Sequence, residues 1–192
     1  MCSLEFVLGN LDGRINASDM MNRELLMGFC GEAEALSIYE EVRRSDNFVG
    51  FARQFMHDED YRVARNALWS LTKATDSELS CLQPLLNELI DLAMSAQNSS
   101  VRRLSLNVIE RLNFREEDLR TDFLDFCLAR MVSLEEYPGV QSLAMKLAYR
   151  MCRFYPELMD ELHRTLRDMD MEYYRPAVKS VRNRILRGQL RG

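Results

Sequence analysis

The stretch NSSVRRLSLNVIERL, residues 98–112, decides the fold. Its apolar residues Val101, Leu104, Val108 and Leu112 recur every three or four positions, with Leu106 and Ile109 beside them, so they share one broad arc of an α-helix. Arg102, Arg103 and Arg111 occupy the rest of the circumference. An arc that wide has to pack against both a partner helix and a neighbouring unit. The spacing returns at Val140, Leu143, Leu147 and Met151, and again at Tyr174, Ala177, Val181 and Ile185. Upstream, Tyr61, Ala64 and Leu68 fit, with Leu71 covering for Thr72. The starts at 61, 101, 140 and 174 lie 40, 39 and 34 residues apart, and each run follows another amphipathic helix. A helical hairpin recurring at such a period marks a solenoid; a non-repetitive bundle is the alternative.

Working outward, helical spacing continues nearly everywhere and no alternating, β-branched run stands out. Helices are expected near 19–29, 32–44, 46–56, 60–73, 78–96, 99–112, 117–134, 138–153, 156–169 and 173–188. Thr75–Glu78 and Asn113–Glu116 have capping-box spacing. Pro138 and Pro156 suit a first helical turn, and Gly31, Gly139 and Gly188 fall at boundaries. The 192 residues are 47% hydrophobic, enough for one continuous core.

Several kinds of chemistry find no foothold. The five cysteines are odd in number, widely spaced and set among apolar neighbours, a usage that fits reduced thiols in a cytoplasmic protein. There is no CxxC pair, and His57 and His163 stand far apart, so no zinc site and no cofactor is expected. His57-Asp58-Glu59-Asp60 reads as an acidic start to the next helix rather than a metal cluster. P-loop, GxSxG, glycine-rich dinucleotide and HExxH patterns are absent from the sequence, which points away from an enzyme. No signal peptide is expected at MCSLEFVLGNLDG, and no run approaches the length of a membrane span. The 12 methionines, Met20-Met21 and Met169–Met171 among them, read as adaptable core filling.

The formal charge is only -5, but its distribution is lopsided. Opposite the apolar arc, the second helices of the hairpins place Arg62, Arg102, Arg103, Arg111, Lys146, Arg150, Arg153, Arg175, Lys179, Arg184 and Arg187, with Lys73 besides, against Glu110 alone. The first helices are acidic: residues 76–96 hold Asp76, Glu78, Glu88 and Asp91 and no base. Such cations either bridge to carboxylates of adjacent helices or await an acidic partner.

The runs YRVARNALWSL (61–71), VRRLSLNVIERL (101–112) and VQSLAMKLAYRM (140–151), with Val101-Arg102 and Tyr61-Arg62 in matching places, resemble the second helices of HEAT/armadillo-type repeats. Asp60 matches the aspartate that precedes this dipeptide in the family, whereas Ser100 and Gly139 depart from it. The resemblance implies an all-α, right-handed α-α superhelix of about four hairpins over residues 46–192, with residues 1–45 as N-terminal capping helices. It also implies that the second helices line a concave face. The eleven cations from Arg62 to Arg187 would then form a basic groove, with Tyr149 as a groove aromatic beside Glu110. The expected role is a non-catalytic scaffold binding an acidic protein or peptide. Nucleic-acid binding is the alternative, with base excision of the HEAT-like glycosylase type as its remotest form, because Trp69 falls in a column expected to be buried.

Overall fold

A computed structural model describes residues 23–29 and 31–190. Helices are α1 (23–27), α2 (Glu32–Ser45), α3 (Phe48–Phe55), α4 (Tyr61–Leu71) and α5 (Asp76–Leu79). They continue as α6 (Leu86–Ser95), α7 (Ser99–Arg111), α8 (Thr121–Val132), α9 (Pro138–Cys152), α10 (Pro156–Asp168) and α11 (Pro176–Leu186). No strand occurs among the described residues. The all-α solenoid expected from the repeats is the architecture found.

Local chemistry sets the ends. Thr75 and Glu78 form the reciprocal capping box. Asn98 accepts from the backbone N–H groups of Ser100 and Val101, and Asp60 from that of Arg62. Pro138, Pro156 and Pro176 each open a helix, where the missing N–H costs nothing. Asn47 caps α3 by accepting from Gly50, and a β-carbon at Gly50 would collide with that side chain. After α11, Gly188 adopts φ 64, the left-handed turn that ends helices most readily at glycine.

Two expectations give way here. The helix expected over 78–96 is broken by Pro84, which lacks an N–H and lies in a 3-10 stretch, Ser80–Leu85, between α5 and α6. The box expected at Asn113–Glu116 does not form. The Asn113 N–H donates instead to Gln83, a short 3-10 turn spans Glu116–Asp118, and α8 starts only at Thr121.

The repeat register is also tighter than the sequence suggested. The first buried residue of each second helix is Val63 in α4, Val101 in α7, Val140 in α9 and Val178 in α11, at 0%, 4%, 0% and 0% exposure. These positions lie 38, 39 and 38 residues apart. Tyr61 is exposed at the start of α4, Ala177 is exposed, and Tyr174 precedes α11, so the expected columns were two residues early at 61 and four early at 174. Four residues after each valine come Ala67, Ser105 and Ala144, all fully buried, and then Arg182. Small side chains in that column let α4, α7 and α9 approach closely.

Packing follows from this column. Successive second helices α4, α7, α9 and α11 pack directly on one another, while α6 and α8 touch only lightly. A layer whose helices are closer together is the inner side of a curved stack, so the second helices form the inner layer. One continuous core runs from Leu26 to Leu190. At its N-terminal end α1 sits against α4: Asn66 donates to the Leu26 carbonyl at 2.7 Å, and Phe29 meets Trp69 at 5.2 Å between ring centroids.

Candidate functional site

In the corrected register, the tenth residue after each valine is Lys73, Arg111, Arg150 and finally Gly188. The two arginines do the same work one repeat apart. Arg111 donates to the Thr72 and Ala74 carbonyls, at 3.1 and 2.5 Å, and to Asp76 at 2.7 Å. Arg150 donates to the Glu110 and Leu112 carbonyls and lies 5.2 Å from the Phe114 ring centroid. The accepting carbonyls occupy equivalent places, at the end of the preceding second helix, where the last turn has no intrahelical donors left. A guanidinium is suited to this task, with several donors in a rigid fork and a positive charge at the negative end of the helix dipole. Lys73, in the same column, reaches Glu32 at 2.6 Å and lies over Trp69.

First helices are capped in the same way. Arg102 donates to Ala96 at 2.7 Å, and Gln141 to Ser133 at 2.6 Å, the C-caps of α6 and α8. Arg182, in the last repeat, donates to Leu166 in the final turn of α10. The other arm of Arg102 meets Glu136 at 3.0 Å, a carboxylate side chain only 4% exposed that also faces Arg130.

The eleven cations singled out from the sequence therefore divide. Arg62 is bound to Asp60, Arg102 to Glu136, Arg111 to Asp76, Lys146 to Glu110, and Arg150 to the carbonyls of α7. These five are bonded internally rather than left as free donors: Arg62 by the N-cap carboxylate of its own helix, Arg102 by the loop that opens the following second helix, Arg111 by the end of α4 and by Asp76, and Lys146 and Arg150 by oxygens at the end of α7. Arg103, Arg153, Arg175, Lys179, Arg184 and Arg187 have no ion pair or side-chain hydrogen bond among the described residues. All but the half-buried Lys179 are exposed. Tyr149 is half-buried and packs against the core.

Two features escaped the sequence reading. Trp69 is half-buried, not buried, and lines an inner-layer pocket with Phe29, Arg65 and Arg103. At the opposite end of the stack, Leu134, Tyr137 and Tyr173 stand in the loops before α9 and α11 with high exposure. The signal for the second was present, since apolar residues beside prolines and acids in a loop have no core to enter. The repeat pattern simply gave those positions no role.

Titration follows the contacts. Asp60 is held down at about 2 by hydrogen bonds from the Arg62 side chain and backbone. Burial pushes the Cys152 thiol up to about 11 and raises that of Cys127. Cys81, Cys127 and Cys152 are free thiols; Cys2 and Cys30 lie outside the described residues. No group of three or more His, Cys, Asp or Glu side chains among the described residues is placed to hold a metal ion. In the His57–Asp60 run, Asp58 pairs with Arg23 at 2.7 Å and Asp60 caps α4. No helix among the described residues is long and apolar enough to cross a membrane.

In comparison with known proteins, residues 22–189 match a family model described as HEAT repeat domain. No curated protein and no solved structure matches.

Proposed function

The chain belongs to the HEAT repeat domain family, whose members are in general protein-interaction scaffolds, and from that premise we propose that it is a non-catalytic scaffold holding an acidic protein segment on its inner, C-terminal surface. The matched region takes in α1 and α2, and the Asn66–Leu26 hydrogen bond and the Phe29–Trp69 contact support reading the N-terminal helices as a cap on the first repeat. The free thiols fit a reducing, cytoplasmic setting.

One observation carries the proposal. Arg175, Lys179, Arg184 and Arg187 lie on or beside α11 with no internal partner among the described residues, and no acid occurs from 173 to 192. Part of this arrangement works against the free protein, although Arg184 and Arg187, in the last turn and at the C-cap of α11, gain from the helix dipole. Arg184 and Arg187 are spaced i, i+3, and like charges so placed cost about 0.2–0.5 kcal/mol. Arg175 is the N-cap of α11, where the dipole disfavours a cation. An acidic segment offsets these penalties through arginine–carboxylate pairing. Arg103 and Arg153 extend the surface along α7 and α9, and the pocket of Phe29, Arg65 and Trp69 adjoins Arg103.

Binding of nucleic acid is a second reading, supported by the half-exposed Trp69 ring among arginines, an arrangement that can stack a base. Fluorescence anisotropy with labelled poly-glutamate and with single-stranded DNA separates the two. Poly-glutamate should bind, and Arg184→Glu/Arg187→Glu should abolish its binding. DNA binding that is tighter, lost with Trp69→Ala, and steeply weakened between about 50 and 200 mM salt would favour the second reading. Capture from an extract of the source cells completes the test: partners retained after nuclease treatment and lost with the reversal variant are expected. Retention indifferent to charge reversal refutes the proposal.

A further inference from the structure

The most exposed large apolar residues among those described are Tyr173 at 67%, Tyr137 at 63% and Leu134 at 59%. All three line one groove, of about 370 Å³, between the loops that precede α9 and α11. Exposed large side chains are ordinary when scattered; converging on one concavity, they mark a contact surface. The groove is on the edge of the solenoid, apart from the cations of Arg184 and Arg187.

Its floor is already built. The Tyr174 hydroxyl donates to the Val132 carbonyl at 2.7 Å, and Gln141 to the Ser133 carbonyl at 2.6 Å. Buried Glu136 is neutralised by Arg102 and Arg130 and accepts from the Tyr137 N–H at 3.1 Å. These bonds tie both loops to α8 and α9, so Tyr137 and Tyr173 project from braced backbone. Little ordering remains to be done when a ligand arrives, which favours binding.

The rim decides the occupant. The carboxylates of Glu135 and Glu172 line the groove, exposed and without a cationic partner among the described residues. Asp170 is near enough to raise the pKa of Tyr174, after the larger effect of burial. Against these three acids stands Arg175. Two tyrosine faces beside unpaired carboxylates form a receptor for a cation, which the rings attract through their quadrupoles and the carboxylates through charge.

We infer that this groove is a second docking surface, which takes an extended protein segment bearing a lysine or arginine flanked by apolar residues. The cation enters between Tyr137 and Tyr173 toward Glu135 and Glu172, and an apolar neighbour covers Leu134. The protein thus has two faces of opposite preference, so one scaffold can hold an acidic and a basic segment together.

The test uses the full chain and two labelled nonapeptides identical except at the centre, one with Arg and one with Glu, each flanked by leucines. The Arg peptide should bind, with amide shifts in nitrogen-15 spectra confined to residues 134–137 and 172–175. Tyr137→Ala and Tyr173→Ala, both on exposed side chains whose loss leaves the core intact, should each weaken it about tenfold or more. Glu135→Lys/Glu172→Lys should reverse the preference toward the Glu peptide, while Arg184→Glu/Arg187→Glu should leave Arg-peptide binding in place. Equal binding of both peptides, shifts located elsewhere, or indifference to the tyrosine substitutions overturns the inference. So does self-association in sedimentation that Tyr173→Ala abolishes, which would assign the face to a second copy of this chain.

Discussion

Replacing Arg150 by methionine isolates what an inner-layer arginine contributes. Methionine keeps an unbranched apolar stem beside Phe114 but leaves the Glu110 and Leu112 carbonyls without their donors. Hydrogen bonds to a charged donor contribute about 1.5–3 kcal/mol each. The side chain is only half-buried, so the lower figure applies, and two bonds give about 3 kcal/mol. For a domain of this size that is a fall in melting temperature of about 6–12 °C. Thermal unfolding by circular dichroism, with urea titration for the free energy, measures it. Arg184→Met is the control: its side chain has no internal partner among the described residues, and its loss should stay within about 0.5 kcal/mol. Arg150→Lys should fall between the two, since an ammonium lacks the fork that spans both carbonyls. Amide exchange should quicken at the C-terminal end of α7 before it does elsewhere. If Arg150→Met and Arg184→Met are equally mild, the capping argument is wrong.

Other consequences follow from the same contacts. Glu136→Ala strands the guanidinium of Arg102, whose side chain is 12% exposed, and should destabilise by about 3 kcal/mol in urea titration. Ala144→Leu forces bulk into the column where second helices meet and should cost about 1–3 kcal/mol by the same measurement. Asp60 should titrate near 2 in carbon-detected NMR. Because its folded pKa lies below the ordinary aspartate value of 3.8, its stabilising effect is complete above about pH 4–5 and is lost as pH falls toward 2. Alkylation at pH 8 with site-by-site mass mapping should modify exposed Cys81 well before Cys127 and Cys152, whose thiols burial holds in the protonated form.

How far the sequence could be read depended on whether a signal was local. Thr75 with Glu78, and the prolines at 138 and 156, announce helix starts within a few residues, and the helices begin there. The wide arc of 98–112 announced stacked hairpins, because no single partner helix could cover it. Register in the outer repeats was harder. Ala64 and Leu68 of the expected column are buried beside Val63, Ala67 and Leu71, so the wide apolar arc of α4 accommodates either starting point and only exposed Tyr61 betrays the wrong one. The fate of the cations was not legible at all. Arg111 and Asp76 are 35 residues apart, as are Arg23 and Asp58, and Arg150 reaches carbonyls 38 and 40 residues upstream. A backbone oxygen leaves no trace in a side-chain pattern, so an arginine that caps a helix and one that awaits a partner look alike in sequence.

The division of the cations is open to direct measurement by phenylglyoxal footprinting of the free protein, with modification at each arginine followed by mass spectrometry. Arg103, Arg153, Arg175, Arg184 and Arg187 should react first. Arg102, Arg111 and Arg150 should react at least about 5–30-fold more slowly, the factor that an opening cost of as little as 1–2 kcal/mol imposes. Equal rates across the two groups would contradict the account, because guanidinium groups bonded to the ends of neighbouring helices are not free to react.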